Sequence, residues 1–313
     1  MRDLRRATLL LALPCSFLLT ACPAGEATDG KADEGKADDG KADEPDDKPE
    51  EPPADPPAPE IDLAGPVPPE TSAVLFSVEG ALIPLACFDQ GKQKLLGGKD
   101  CLPLVKKGDE VFLGSDTGKV IEKITDPKNA LCEVGDKPTS LGTPGLERGD
   151  SYSYGTFPKS LARVVEAATA DNESDEATKL SDDETAKLNA AVLAKAKKAE
   201  KGTMRSTSKV EFDMDGDGTK ETFFSIVVDH PTSTDQYLFS GLFMAKGGNL
   251  DQLVLLESTK KPDILRARGA VDLDGDGAKE LWLGLTFEGG SADRVARMKG
   301  DKLEYLAKWT CGA

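Results

Sequence analysis

The sequence predicts a mainly β fold in which one helix separates two β-rich segments, carried behind an N-terminal signal and a disordered tether. Three observations predict it. From residue 71 onward, short runs rich in Val, Ile, Leu and Phe alternate with turns containing Gly and Asp. A single stretch within 161–205 carries helix start and stop signals. A nine-residue acidic loop occurs twice, at 213–221 and 272–280, each time between strand-like runs.

Met1-Arg-Asp-Leu-Arg-Arg6 is a positively charged opening, with Arg5-Arg6 a weak hint of twin-arginine export. Ala7 to Thr20 is an apolar run too short to span a bilayer, as in a signal-peptide core. It ends Leu19-Thr20-Ala21-Cys22, which resembles a bacterial lipobox. That resemblance implies cleavage before Cys22, lipidation of its thiol, and residence on a bacterial cell-envelope membrane, facing periplasm or exterior. Ordinary cleavage near Ala21 is the alternative.

Residues 23–70 hold 16 acidic and 4 basic side chains, a net −12 of the chain's −17. They include Gly30-Lys-Ala-Asp-Glu34, a near-copy at 35–39 and an exact copy at 40–44, then seven prolines from Pro45 to Pro59. Such a segment has little to bury against its ordering entropy and reads as a disordered spacer. Its charge opposes nucleic acid as a partner.

Cys15 lies in the signal core, leaving Cys87, Cys101, Cys132 and Cys311 for the folded part. An even count in an exported chain implies disulfides. Three pairings are open; Cys87–Cys101 with Cys132–Cys311 is the one expected here, and free buried thiols are the alternative. Zinc is disfavoured, with no Cys-x-x-Cys and His230 the only histidine.

Residues 71–160 form the first β-rich domain. Ser72–Val78 and Ala81–Ala86 flank Glu79-Gly80, a hairpin turn, and 110–114 and 119–124 flank another. Tyr152, Tyr154 and Phe157 read as strand core, with an aromatic binding face as the bolder alternative. Residues 161–205 form a helical linker. Ser181-Asp-Asp-Glu184 fits a capping box, Lys195 to Lys201 suits a helix C-terminus, and Gly202 is a stop. Leu188, Val192 and Ala196 make one apolar stripe. The lysine run reads as a solvated face.

Residues 206–313 hold the repeat. Asp213, Asp215, Asp217 and Glu221 recur 59 positions later as Asp272, Asp274, Asp276 and Glu280. Alternate carboxylates on a curled loop supply the hard oxygens that calcium takes at roughly 2.3–2.6 Å, with the carbonyls of Thr219 and Ala278 as further ligands. Gly218 and Gly277 would take the sharp turn. Phe212 matches Val271, Phe223-Phe224 matches Trp282-Leu283, and Lys246–Leu250 resembles Lys299–Leu303. Each unit therefore reads as four strands with one acidic loop, like a propeller blade.

These units resemble the FG-GAP and VCBS-type repeats of integrin-like β-propellers. The resemblance covers about a third of the chain and implies antiparallel β-repeats of propeller-blade type with a calcium ion in each loop. Two units fall short of a closed propeller, and Glu replaces Asp as the last ligand. An EF-hand is disfavoured because Phe224 and Leu283 stand where its closing Glu belongs and β-rich sequence flanks the loops. The expected function is a membrane-anchored, calcium-binding, non-catalytic binding or scaffold module with an unidentified protein or polysaccharide partner. The alternatives are an envelope hydrolase, for which Asp229, His230 and Ser233 are the sole histidine-containing cluster, or a purely structural envelope protein.

Overall fold

The computed structural model describes residues 61–115, 118–132, 139–168, 178–259 and 263–312. The expected signal peptide, Cys15, Cys22 and the spacer through residue 60 lie outside the described residues. Among the described residues no helix is long and apolar enough to cross a membrane.

The first β-rich segment builds one eight-stranded antiparallel sheet from β1 (Ala73–Val78), β2 (Leu82–Asp89), β3 (Lys94–Gly97), β4 (Glu110–Gly114), β5 (Lys119–Lys123), β6 (Pro127–Lys128), β7 (Ser140–Leu141) and β8 (Tyr154–Phe157). The strands run β5-β4-β8-β1-β2-β7-β6, with β3 also on β2. Both expected hairpins form. β1 pairs with β2 across Gly80, whose φ of +68° suits a residue without a Cβ, and β4 pairs with β5. Both faces of β1 are apolar because both are covered. Val74 and Phe76 join Val111 and Leu113 inside this segment, whereas Ala73 and Leu75 pack against Val271, Leu273 and Trp282 of the C-terminal repeat. Helix α1 (Pro144–Arg148) starts at Thr143, whose hydroxyl accepts from the Leu146 N–H.

The disulfides are Cys87–Cys101 and Cys132–Cys311, with Cα–Cα distances of 5.7 and 5.4 Å. The expected pairing is the one formed. The second bridge ties the last strand to the N-terminal segment, and the two β-rich segments share a core and belong to one compact unit.

The stretch expected as a helical linker is only partly helical. β9 (Val165–Ala167) pairs antiparallel with Gly269–Val271 and so belongs to the second repeat's sheet. Its three residues are too short for periodicity to reveal, and its partner is more than a hundred positions away. Helix α2 (Asp182–Lys195) has the expected cap: Ser181 Oγ accepts from the Glu184 N–H while the Glu184 carboxylate accepts from the Ser181 N–H. Leu188 and Val192 are fully buried against Phe224, Ile226 and Phe243. The helix ends at Lys195, and Lys197–Lys201 continue as a 3-10 turn before Gly202.

The first repeat is the four-stranded meander β10 (Thr203–Phe212), β11 (Glu221–His230), β12 (Ser233–Ala245) and β13 (Leu253–Thr259). The second is β14 (Ile264–Val271), β15 (Glu280–Phe287), β16 (Gly290–Lys299) and β17 (Lys302–Gly312), with β9 added beside β14. Period-two alternation, shifted by bulges in several strand pairs, sorts their side chains. Phe223, Leu242 and Met244 meet Leu281, Leu283 and Leu285 between the two sheets. Phe224 and Phe243 face α2, and Trp282 and Val295 face the N-terminal sheet. Helix, first repeat, second repeat and N-terminal sheet thus stack as successive layers joined by apolar cores.

Residues 61–70, expected as spacer, are instead held on the fold. Ser160 Oγ donates to the Pro66 carbonyl at 2.5 Å, an Arg163 guanidinium N–H donates to the Gly65 carbonyl at 2.7 Å, and Pro68 is buried. A proline-rich strap can pack this way because it has few N–H groups left to satisfy.

Asp293 joins the layers. Its buried carboxylate accepts from Ser77 Oγ at 2.8 Å, Arg268 Nη1 at 3.0 Å and Trp282 Nε1 at 2.8 Å. Removing it takes the carboxylate partner from a guanidinium and from two further donors. Asp293→Ala is expected to cost about 3–5 kcal/mol in urea unfolding and Ser77→Ala only about 1 kcal/mol. Equal small losses for both would remove Asp293 as the joint.

Candidate metal centre

Each acidic loop spans the gap between the first two strands of its repeat, beyond the pairs Phe212↔Glu221 and Val271↔Glu280. The backbone curls identically in both. Asp213 accepts from the Gly216 N–H at 2.8 Å and the Gly218 N–H at 3.1 Å; Asp272 accepts from the Gly275 N–H at 2.7 Å and the Gly277 N–H at 3.1 Å. Gly216 and Gly275 both have φ +73°, while Gly218 and Gly277 have +86° and +91°. A side chain at any of these positions would oppose the left-handed turn. The backbone N–H groups of Thr219 and Ala278 donate to Asp217 and Asp276 at 2.6 and 2.9 Å.

The curl gathers charge. One carboxylate oxygen from each of Asp213, Asp215 and Asp217 lies within 4.8 Å of the other two, and the same holds for Asp272, Asp274 and Asp276. Glu221 and Glu280 stand beside these triplets and close the loops from the following strand. They accept from the Met214 N–H at 3.0 Å and the Leu273 N–H at 2.9 Å. All these donors are hard oxygens, and carboxylates retain free lone pairs after one hydrogen bond, so the set fits a divalent hard cation.

The two loops differ in one respect that the sequence comparison missed. In the second, Arg297 of β16 reaches across the hairpin: its Nε donates to Glu280 at 2.6 Å and its Nη2 to Asp274 at 2.7 Å and Asp276 at 3.1 Å. Burial pushes the Glu280 carboxyl up to about 7, and the Leu273 N–H and Arg297 pull it back only in part. Burial likewise raises Asp274, whose Oδ1 is buried without a hydrogen-bond partner. No ion pair engages Asp213, Asp215, Asp217 or Glu221 among the described residues. Arg297 carried no signal in the sequence, because its contact crosses a hairpin with no counterpart in the first repeat.

The loops are neighbours. The Lys279 N–H donates to the Met214 carbonyl at 2.8 Å, and Asp215, Glu221, Asp276, Lys279 and Arg297 line one cavity of about 520 Å³. Glu166 of β9 lies between them, paired with Lys279 and accepting weakly from the Asp213 N–H at 3.4 Å. A larger cavity of about 720 Å³ is lined by Glu79, Tyr152, Tyr154 and Trp282 and reaches Glu166, Phe212 and Lys220 beside the first loop.

The remaining candidates resolve as structure. Tyr154 packs at 5.8 Å from Phe112 and 6.4 Å from Trp282, and Phe157 joins the N-terminal core. Asp229 pairs with Arg205 at 3.0 Å, and His230 Nδ1 accepts from the Thr232 N–H at 3.3 Å, so the cluster is not arranged as a relay to Ser233. No protein-family model, curated protein or solved structure matches the chain.

A Cβ on Gly275 would lie 2.4 Å from the Pro68 carbonyl oxygen, whereas one on Gly277 meets nothing within 4 Å. Gly277→Ala should therefore cost only the left-handed backbone penalty, roughly 1–2 kcal/mol. Gly275→Ala should cost at least twice that, with protease cleavage appearing near residue 68. Equal costs would mean that the strap does not rest on the loop.

Proposed function

We propose that the chain is a lipid-anchored, calcium-binding lipoprotein of a bacterial cell envelope, acting as a non-catalytic binding or scaffold module, with its two β-repeats of the FG-GAP/VCBS, propeller-blade kind. The observation that carries this reading is the duplicated loop. Two nine-residue turns share one hydrogen-bond pattern, each gathers three carboxylates within 4.8 Å, and each joins the first two strands of a four-stranded meander. In the first repeat Asp213, Asp215 and Asp217 would hold calcium, with Glu221 and the Thr219 carbonyl completing the set. The ion would supply the charge neutralisation that a tight acidic turn requires. Its role is structural, since the loops join strands and the histidine cluster offers no catalytic relay.

Affinity on the order of 10⁻⁴–10⁻³ M is expected, as in other extracellular modules. At about 10 mM calcium, linkage then stabilises the fold by about 1.4–2.7 kcal/mol and raises the melting midpoint by roughly 3–10 °C. A thermal melt of the chelator-treated full chain with and without calcium measures this, and Asp215→Ala should abolish the shift. An unchanged midpoint in the parent chain would refute the calcium reading.

Anchoring is tested separately. In a bacterial host the parent chain should fractionate with membranes and Cys22→Ser with the soluble fraction. The same distribution for both would refute the lipid anchor.

A further inference from the structure

We infer that Arg297 serves the second acidic loop as a built-in cation, so that only the first loop takes up calcium. The second half of this statement rests on the calcium reading of the first loop.

The geometry separates the loops. Three of the four carboxylates of the second loop already converge on one guanidinium, at 2.6 Å for Glu280, 2.7 Å for Asp274 and 3.1 Å for Asp276. A planar guanidinium, with five donors in a fixed fork, can bridge several carboxylates at once. Glu280 is fully buried and Asp274 has a side-chain exposure of only 16%, so those two are charge-assisted bonds with little competition from water, whereas Asp276 is half exposed. Calcium could enter only by breaking all three. Without those three carboxylates the loop offers Asp274 Oδ1, the lone pairs left on Asp272 and the Ala278 carbonyl, fewer than the six to eight oxygens the ion takes.

The first repeat has a different residue at the same place. Arg297 follows Ala296, which pairs with Leu281 just after the loop; Lys246 follows Ala245, which pairs with Thr222 at the same position. The sheet register thus matches Lys246 with Arg297, two residues away from the match of Lys246 with Lys299 suggested by the turn sequences. Lys246 lines the shared cavity beside Asp215 and Glu221, but its ion pair is with Asp301. A point-charge ammonium on a flexible stem is also poorly suited to bridging three carboxylates. Among the described residues no basic side chain forms an ion pair with the carboxylates of the first loop.

The test is the number of calcium ions bound by the chelator-treated full chain in equilibrium dialysis. One ion is expected, lost in Asp215→Asn and retained in Asp274→Asn. Two ions in the parent chain, or one lost in Asp274→Asn and retained in Asp215→Asn, would overturn the assignment. Arg297→Gln should bind one ion more than the parent, and in chelator its melting midpoint should fall by roughly 5–10 °C, mostly recovered by calcium. Failure of the calcium reading is distinguishable. If the parent binds none, a lowered Arg297→Gln midpoint in chelator still supports the built-in cation, and an unchanged midpoint overturns it.

Discussion

Like charge confined to a tight turn is the constraint on which the C-terminal half depends. Two carboxylates 4.8 Å apart repel by about 3.5 kcal/mol at an effective dielectric of 20, and each loop sets three within that distance. The loops cannot relax outward without releasing the pairs that begin β11 and β15. The chain offsets the repulsion in layers. Backbone N–H groups of the curled loop point inward at the carboxylates, the closing glutamates are tied to Met214 and Leu273, and a guanidinium completes the second loop. What remains uncompensated in the first loop is the charge that the proposed calcium ion would neutralise.

The constraint also explains why the loops sit where they do. They touch each other through Lys279 and Met214, share a cavity, and flank Glu166, which arrives on a strand from outside both repeats. Acidic and basic side chains alternate across this region, so it is a connected network. Hydrogen bonds and ion pairs thus join the two loops, whereas apolar interfaces join the layers elsewhere.

Much of the fold was legible because its signals were local. Gly80 marked a hairpin, Ser181 and Glu184 marked a helix start, and the apolar runs after each acidic loop marked strands. The loops were legible because carboxylate and glycine spacing within nine residues fixes both the curl and the donor set. The features that escaped were non-local. β9 is three residues long and finds its partner across the chain; Arg297 acts across a hairpin; the strap at 61–70 has the composition of a spacer, and only its packing on Ser160, Arg163 and Gly275 makes it part of the fold. Composition reports the ordering cost of a segment, not the surface available to receive it.

That strap has a mechanical consequence. Any tension arriving from the residues before 61 enters the folded part through Gly65 and Pro66, whose carbonyls are held by two side chains, and through Pro68, which rests on Gly275. It does not pull first on a strand pair. Peeling the strap would break a few isolated bonds one after another, while the sheets behind it stay closed and the Cys132–Cys311 bridge keeps the far end of the chain stapled to the N-terminal sheet. The segment would behave as a mechanical fuse, lengthening under load before the layers it protects begin to shear.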